Sequence, residues 1–227
     1  MDKSKITTIQ ALLQMTNSLF ALGDEQSAAW LYAGLAFRMI VDLGLHIDAT
    51  LMPNVRNLTD EDIEIRRRVF WGAFVIDKIQ SLYQGRPATL QASQCDVPVR
   101  FNDEYEELEH WTPFAYTDKS STAGCCSYSV STFSQLCRLC VILNKILNKV
   151  YKEKRAAESP ETPKQELMAL DMELVSWTKQ LPSHFSMDVE LNRAADIAPP
   201  HVLSLLCVSN VGSWCYCANR RTGQSRT

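Results

Sequence analysis

The segment TDEDIEIRRRVFWGAFVIDKIQSLYQGRP, residues 59–87, decides the fold because its middle is apolar around most of a helix. It predicts a helix over about 61–84, with Thr59 or Asp60 as its cap and acidic side chains in its first turn, where the helix macrodipole favours anions. The glycine and proline near the end of the segment stop the helix. Its apolar positions form a main stripe and two flanks, which are Ile65, Val69, Gly72, Ile76, Ile79 and Tyr83, then Phe70 with Phe74, and Trp71 with Val75. A helix apolar on so many sides is buried at the centre of a core.

Helical patterns also lie on both sides of this segment, whereas alternating apolar runs and hairpin turns are absent from the sequence. Gly23 and Gly44 stand where left-handed caps end the two preceding helices, and Asp24 can cap the second of them. Residues 88–128 read as a long, partly ordered loop, and 156–163 as a solvated connector. The predicted helices cover about residues 5–22, 25–43, 61–84, 129–155, 163–180 and a last helix from about 201. The predicted fold class is all-α.

Composition narrows the function classes. The 227 residues are 46% hydrophobic and 22% charged, which is typical of a folded globular chain. The 23 Lys and Arg against 26 Asp and Glu give a formal charge of -3, whereas a nucleic-acid-binding domain is usually basic. No apolar run approaches the ~18 residues of a membrane span, and the first residues do not form a signal peptide. We therefore expect neither a membrane nor a secreted protein, nor direct DNA binding by this chain.

The eight cysteines are expected to be free thiols, because no secretory signal accompanies them. Cys137 and Cys140 form a C-x-x-C pair, which is half of a zinc site. The pair lies in a helical apolar pattern, however, and no second half stands at a suitable distance. We predict that both side chains pack in the core, where small cysteines are common.

Residues that could carry chemistry are scattered. The sequence has no nucleophile elbow, phosphate-binding glycine loop, zinc-protease helix or dinucleotide fingerprint. The acidic run over 104–109 is expected to be solvated rather than to bind a metal. The histidines fall in predicted loops and at helix ends, without a nucleophile or acid in a known arrangement, and they are His46, His110, His184 and His201. We therefore assign no catalytic, cofactor-binding or metal-binding residue and do not expect an enzyme.

Several charged residues interrupt apolar helices and need partners. Arg38 and Asp42 are one turn apart, so they can satisfy each other if they face the core. Asp77 is an isolated acid in the central helix, and we expect Arg86 or Arg38 to pair with it. Structural ion pairs are favoured here over the binding of a small effector. The arginines at 66–68 follow four acids closely, which favours contacts within the helix surface over contacts with phosphate.

Two of these helices resemble the hallmark segments of one family. Residues 29–46, AWLYAGLAFRMIVDLGLH, resemble the A-x-R-x-A-x-x-L-G-L-H helix of the fungal transcription-factor middle homology region. Residues 65–87 resemble its second hallmark, which runs from R-R-R-x-x-W to G-R-P, and residues 96–98 match the aspartate-x-proline element that follows. The chain thus resembles fungal zinc binuclear-cluster transcription factors over about residues 5–100. The short segments 6–12 and 199–203 look closest to those of nitrate-assimilation and xylanolytic activators.

The resemblance implies an all-helical regulatory domain built of antiparallel helical hairpins, in a nuclear protein. In this family, zinc and DNA are bound by an N-terminal module with six cysteines, which this sequence does not contain, so no cofactor is expected in this chain. The implied partners are other transcription-factor regions, coregulators and a second copy of the chain, with DNA contacted only through the absent module and no membrane contact. A helical protein-interaction adaptor unrelated to transcription is the alternative.

The sequence departs from the family at both ends, which suggests a truncated or mis-spliced fragment. Besides the zinc module, the first helices of the middle region are missing, and a polar stretch replaces the expected hydrophobic helix near the C-terminus. We expect residues 1–100 to be the part of the regulatory domain with the hallmark motifs and residues 101–128 to be a long loop. Residues 129–205 are expected to be further helices of the same domain, and residues 206–227 a divergent polar tail.

Overall fold

Helices make up most of the structure, a computed structural model that describes residues 4–23, 26–51, 58–103, 105–111, 125–150 and 161–185. This confirms the all-α prediction. The helices of the described part are α1 (Ile6–Leu22), α2 (Gln26–Asp42), α3 (Asp60–Gln84), α4 (Ser129–Val150) and α5 (Glu161–Lys179). Three short 3-10 turns accompany them at Ala49–Leu51, Ala92–Gln94 and Ser183–Phe185.

One small β feature was not predicted. β1 (His110–Trp111) and β2 (Cys125–Cys126) pair antiparallel, with His110 opposite Cys126 and Trp111 opposite Cys125. Two residues per strand are too few to show an alternating pattern, so the sequence gives no signal for them. Other expectations lie outside the described residues, among them the cap at Asp24, the predicted helical residues 151–155, the helix from 201 and the tail 206–227.

The chain divides into two compact units. The first comprises Met1–Phe101 with Leu143–Arg155, and the second comprises Asn102–Ile142 with Ala156–Thr227. α1, α2 and α3 belong to the first unit, and α5 belongs to the second. The first unit contains both hallmark segments, residues 29–46 and 65–87.

In the first unit, α1 packs along α2. Ala29, Ala33 and Ala36 of α2 have no exposed surface, and neither does Ile9 of α1. The small alanine side chains let the two helix axes approach closely. A weak hydrogen bond of 3.5 Å from the hydroxyl of Thr16 to the carbonyl of Ala29 joins the helices across this interface.

Glycines end α1, α2 and α3, as the sequence predicted. Gly23, Gly44 and Gly85 each adopt a left-handed φ, of 80°, 61° and 65°. After α2 the cap is a Schellman motif, because the amide of Gly44 donates to the carbonyl of Val41 and the next amide reaches back to Ile40. Such caps orient the chain that leaves each helix, which fixes where the following loops begin.

α3 begins with a capping box, in which Thr59 and Asp62 satisfy each other's backbone amides. Its centre is buried, as predicted, but the predicted main stripe is not the most buried one. Ile65 and Tyr83, at the two ends of that stripe, are 36% and 64% exposed. The deepest stripe is at most 1% exposed and consists of Phe70, Phe74, Asp77 and Ser81. Because it contains two polar residues, an apolar periodicity does not reveal it.

Helices α4 and α5 bury apolar side chains that include Leu139, Ile142, Leu170 and Trp177. The described part of the chain contains one helix, α4, that is long and apolar enough to cross a membrane by length and composition, with half of the relevant window buried inside the protein. Core helices of folded proteins meet the same two criteria. Length and composition therefore do not distinguish a membrane span from a core helix here.

Candidate functional site

A buried ion pair between adjacent residues of α3, Asp77 and Lys78, organises the first unit. Both side chains are fully buried, and the Lys78 Nζ lies 2.6 Å from the Asp77 Oδ2. The Asp77 carboxylate also accepts hydrogen bonds from the backbone amides of Thr89, at 3.0 Å, and Leu90, at 2.9 Å. The Lys78 ammonium donates to the Leu90 carbonyl and lies 4.2 Å from the centre of the Phe74 ring. The pair therefore fixes the chain that follows α3 against the helix.

The prediction that Asp77 is buried and ion-paired is confirmed, but the predicted partners were wrong. The Arg86 guanidinium instead lies over the Trp30 ring, 5.1 Å from its centre, and Arg38 is exposed. Neighbours in sequence point to different sides of a helix, so the usual helical pairing rules consider residues three or four apart. The Lys78 side chain has a long, flexible stem, which lets its ammonium reach the carboxylate of Asp77.

A groove lies between the second half of α2, α3 and the segment 89–95, and we name it the α2 groove. Its volume is about 470 Å³. Phe37, Phe70 and Leu90 form an apolar floor, and each is at most 7% exposed. Arg38 and Asp42 are exposed at its rim. The structural ion pair favoured for these two residues was wrong: within the described residues, neither side chain forms an ion pair or a hydrogen bond.

The other polar groups of the α2 groove differ in how far they are satisfied. Both ends of the Gln91 amide are bonded, to the Ala88 carbonyl at 2.9 Å and to the Asn148 amide at 2.7 Å. The Cys95 thiol is held in its neutral form, because burial and the charge of a neighbouring aspartate raise its pKa. The ring Nδ1 of His46 is buried and has no hydrogen-bond partner within the described residues.

The three arginines of α3 contact the chain itself, which confirms the predicted intramolecular interpretation. The Arg66 guanidinium donates to the carbonyls of Leu43, at 3.0 Å, and Gly44, at 3.4 Å, so it caps the C-terminal end of α2. Burial lowers the pKa of Arg66, and the nearby carboxylate of α3 partly opposes that change. Arg67 and Arg68 both bind the Glu64 carboxylate, at 3.2 Å and 2.8 Å.

Trp71 and the trailing aspartate-x-proline element are also joined. The indole Nε1 of Trp71 donates to the Pro98 carbonyl at 3.2 Å, and the side chain is 3% exposed. Three hallmark residues of α3, Arg66, Trp71 and Asp77, therefore share one property: their polar atoms bind backbone groups that precede or follow the helix. The sequence identified these residues as one motif, but the tertiary fold determines which backbone groups they bind.

In the second unit, the acidic run is not simply solvated, so that expectation was wrong. Glu107 accepts the amide of Ser131, in the first turn of α4, at 2.9 Å. The backbone carbonyl of Glu106 accepts the hydroxyls of Ser127 and Ser129. The run thus caps the beginning of α4, whose unpaired amides favour a carboxylate. Glu104 lies outside the described residues.

The cysteines and histidines that the structure describes form no group able to hold a metal ion. Cys137 and Cys140 are both fully buried, which confirms core packing, and burial strongly raises the pKa of Cys137. Among the residues that the structure describes, no group of three His, Cys, Asp or Glu side chains could hold a metal ion. His184 stacks on Tyr128 and lies 3.3 Å from the hydroxyl of Ser131, His110 lies in β1, and the fourth histidine is outside the described residues.

Residues 1–179 match the protein family described as the fungal specific transcription factor domain. The chain belongs to this family. This confirms the resemblance drawn from the two hallmark segments. It also means that the polar contacts of α3 described above are those of a fungal transcription factor domain.

Relatives of this fungal transcription factor domain include transcription regulators. This chain is 33% identical over 190 residues to the nitrogen assimilation transcription factor nit-4 of Neurospora crassa, and the match covers 81% of this chain and 16% of that protein. It is 32% identical over 183 residues to the nitrogen assimilation transcription factor nirA of Emericella nidulans, covering 79% of this chain and 20% of the relative. A transcriptional regulatory protein of Schizosaccharomyces pombe is 31% identical over 192 residues, and the match covers 82% of this chain and 30% of that protein.

The chain therefore spans between 16% and 30% of the length of these three relatives. No solved structure matches it.

Proposed function

We propose that this chain is the regulatory middle region of a fungal zinc-cluster transcription factor, which acts in the nucleus by contacting other transcription-factor regions or coregulators. In this proposal the chain neither catalyses a reaction nor binds DNA by itself. Zinc and DNA belong to the six-cysteine module that the resemblance implies for the family. The observation that carries the proposal is the family match over residues 1–179, which includes both hallmark helices.

The polar contacts of α3 support a scaffold rather than a DNA interface. A DNA-binding helix presents arginines to phosphates and base edges. Here Arg66 binds the backbone at the end of α2, while Arg67 and Arg68 share the carboxylate of Glu64. With a formal charge of -3, the chain also lacks the positive charge that drives nucleic-acid binding. We expect no sequence-specific shift of DNA by the isolated chain in a gel-shift titration, and a tight, site-specific shift would contradict the proposal.

Exposed apolar side chains at helical spacing support contacts with other proteins. On α2, Leu31 and Leu35 are 71% and 41% exposed. On α5, Met168, Met172 and Val175 are 54%, 66% and 46% exposed, and they follow one another at intervals of four and three residues. Apolar side chains grouped in this way on a surface often mark interaction sites.

A tethering experiment tests the proposal. The chain is fused between a heterologous DNA-binding module and an activation domain, and a reporter gene is measured in fungal cells. A flexible linker of equal length replaces the chain in the matched control. We expect the chain to alter reporter output relative to the linker at equal protein levels and nuclear localisation. Equal output from the two fusions would contradict a regulatory role and would leave the adaptor unrelated to transcription as the better explanation.

A further inference from the structure

We propose that the α2 groove binds a small zwitterion, namely an α-amino acid with an apolar side chain or a close chemical analogue. This inference goes beyond the proposed function and does not depend on it. It is carried by the size of the groove, by two opposite charges at its rim and by its apolar floor.

The size of the groove suits a small organic molecule. Ligand sites typically enclose about 300–1,000 Å³, and they combine apolar walls with a few polar groups that converge on the ligand. The α2 groove, at about 470 Å³, is in the lower part of this range. Its lining has the same composition, with three buried apolar side chains below and charged groups only at the rim.

The charges at the rim select for a ligand that carries both signs. Arg38 and Asp42 are four residues apart on α2, which brings their Cβ atoms to about 5–6 Å of one another. A simple anion drawn to Arg38 is repelled by Asp42, and a simple cation meets the opposite conflict. A zwitterion satisfies both residues. Its carboxylate can form two parallel hydrogen bonds to the guanidinium, and its ammonium can bind the Asp42 carboxylate.

An apolar floor completes the site. Phe37, Phe70 and Leu90 offer an apolar surface below the charges, which favours an aliphatic side chain over a polar one. His46 also lines the groove, and its ring Nδ1 is buried without a hydrogen-bond partner among the described residues.

The part of the floor formed by Leu90 is preorganised. Its amide is bound by Asp77 and its carbonyl by Lys78, and both of these side chains are fully buried. This residue therefore does not have to become ordered when a ligand enters, which lowers the free-energy cost of binding.

Calorimetric titration of the purified 227-residue chain with three probes tests the proposal. L-leucine carries both charges and an aliphatic side chain, 4-methylpentanoate lacks the ammonium, and 3-methylbutylamine lacks the carboxylate. We expect leucine to bind about tenfold or more tightly than either analogue, because each analogue loses one charge-assisted hydrogen bond. No binding of leucine at millimolar concentration would overturn the proposal, and so would equally tight binding of either analogue.

Two variants connect the binding to the groove. Arg38→Gln and Asp42→Asn alter exposed side chains without described partners, so we expect both proteins to melt as the parent does. Arg38→Gln should weaken leucine binding by about tenfold and remove its advantage over 3-methylbutylamine, whereas Asp42→Asn should remove its advantage over 4-methylpentanoate. Arg138→Gln, an exposed change on α4 outside the groove, is the matched control and should leave binding unchanged. Unchanged leucine binding in both groove variants would place the site elsewhere and overturn the proposal.

Discussion

The replacement Asp77→Ala tests the central structural feature of the first unit. The change removes the carboxylate that accepts hydrogen bonds from the Lys78 ammonium and from the amides of Thr89 and Leu90. Lys78 then keeps only the Leu90 carbonyl and the Phe74 ring from the contacts described above, at a position without solvent exposure. We therefore expect a charge left buried without its counter-ion.

The expected loss follows from these contacts. Breaking a buried ion pair by removing one partner typically costs about 3–5 kcal/mol. The amide of Leu90 is stranded at the same time, and a buried donor without an acceptor costs about 1–3 kcal/mol. These penalties overlap because the loop can relax, so we expect Asp77→Ala to lower the free energy of unfolding by about 3–5 kcal/mol. That is a large share of the stability of a typical domain, which is about 5–15 kcal/mol.

Urea denaturation followed by circular dichroism measures this loss. The matched control is Asn17→Ala, because Asn17 is an exposed polar residue of α1 in the same unit and outside the hallmark segments, and its removal should stay within about 0.5 kcal/mol. Lys78→Met and the double variant Asp77→Ala with Lys78→Met complete a cycle. We expect the double variant to be about 2 kcal/mol more stable than the sum of the single effects predicts, because it leaves no unpaired charge. If Asp77→Ala is as mild as Asn17→Ala, or if the cycle shows no coupling, the buried pair is not what holds the loop.

Four further expectations concern other parts of the chain. Trp71→Ala should cost about 3–5 kcal/mol in urea denaturation, since a buried aromatic side chain is removed. Glu107→Ala should cost about 1 kcal/mol in the same assay, because it removes the carboxylate that caps α4; a value near zero would refute the cap. Hydrogen bonds from Thr59 lower the pKa of Asp62, so its stabilisation is complete above the ordinary pKa of aspartate and is lost as the pH falls through the lower pKa of the folded state. Asp62→Asn should therefore lose less stability than the parent in acid denaturation. Finally, iodoacetamide should label Cys137 only when the chain unfolds, because burial raises the pKa of this thiol, and rapid labelling of the native chain would contradict its burial.

The features that were predicted well are local in the sequence. A glycine after an apolar helix reports its own left-handed cap, so the ends of α1 and α2 could be placed at Gly23 and Gly44. The cap of α3 was predicted at Thr59 or Asp60, and Thr59 occupies it, because a capping side chain acts within its own helix turn. The hallmark spacing identified the family because it depends on residue types and order rather than on geometry.

The features that were missed depend on where distant backbone groups come to lie. The partners of Asp77 include two amides of the loop after α3, and backbone groups leave no signature in a sequence pattern. For the same reason the bond of Arg66 to the end of α2 could not be predicted, although its intramolecular character could. The α2 groove forms where α2, α3 and the loop meet, and the sequence alone instead favoured an ion pair between its rim residues.

Reporter output from the tethered chain, measured for the parent and for Asp77→Ala and Asn17→Ala side by side, tests the central claim most directly. The claim is that the folded helical unit regulates transcription and that its hallmark residues act by holding it together. We expect the parent and Asn17→Ala to alter reporter output alike, and Asp77→Ala to behave as the flexible linker does, with urea denaturation confirming its lower stability. Equal regulation by all three chains, or none by the parent, would contradict the claim.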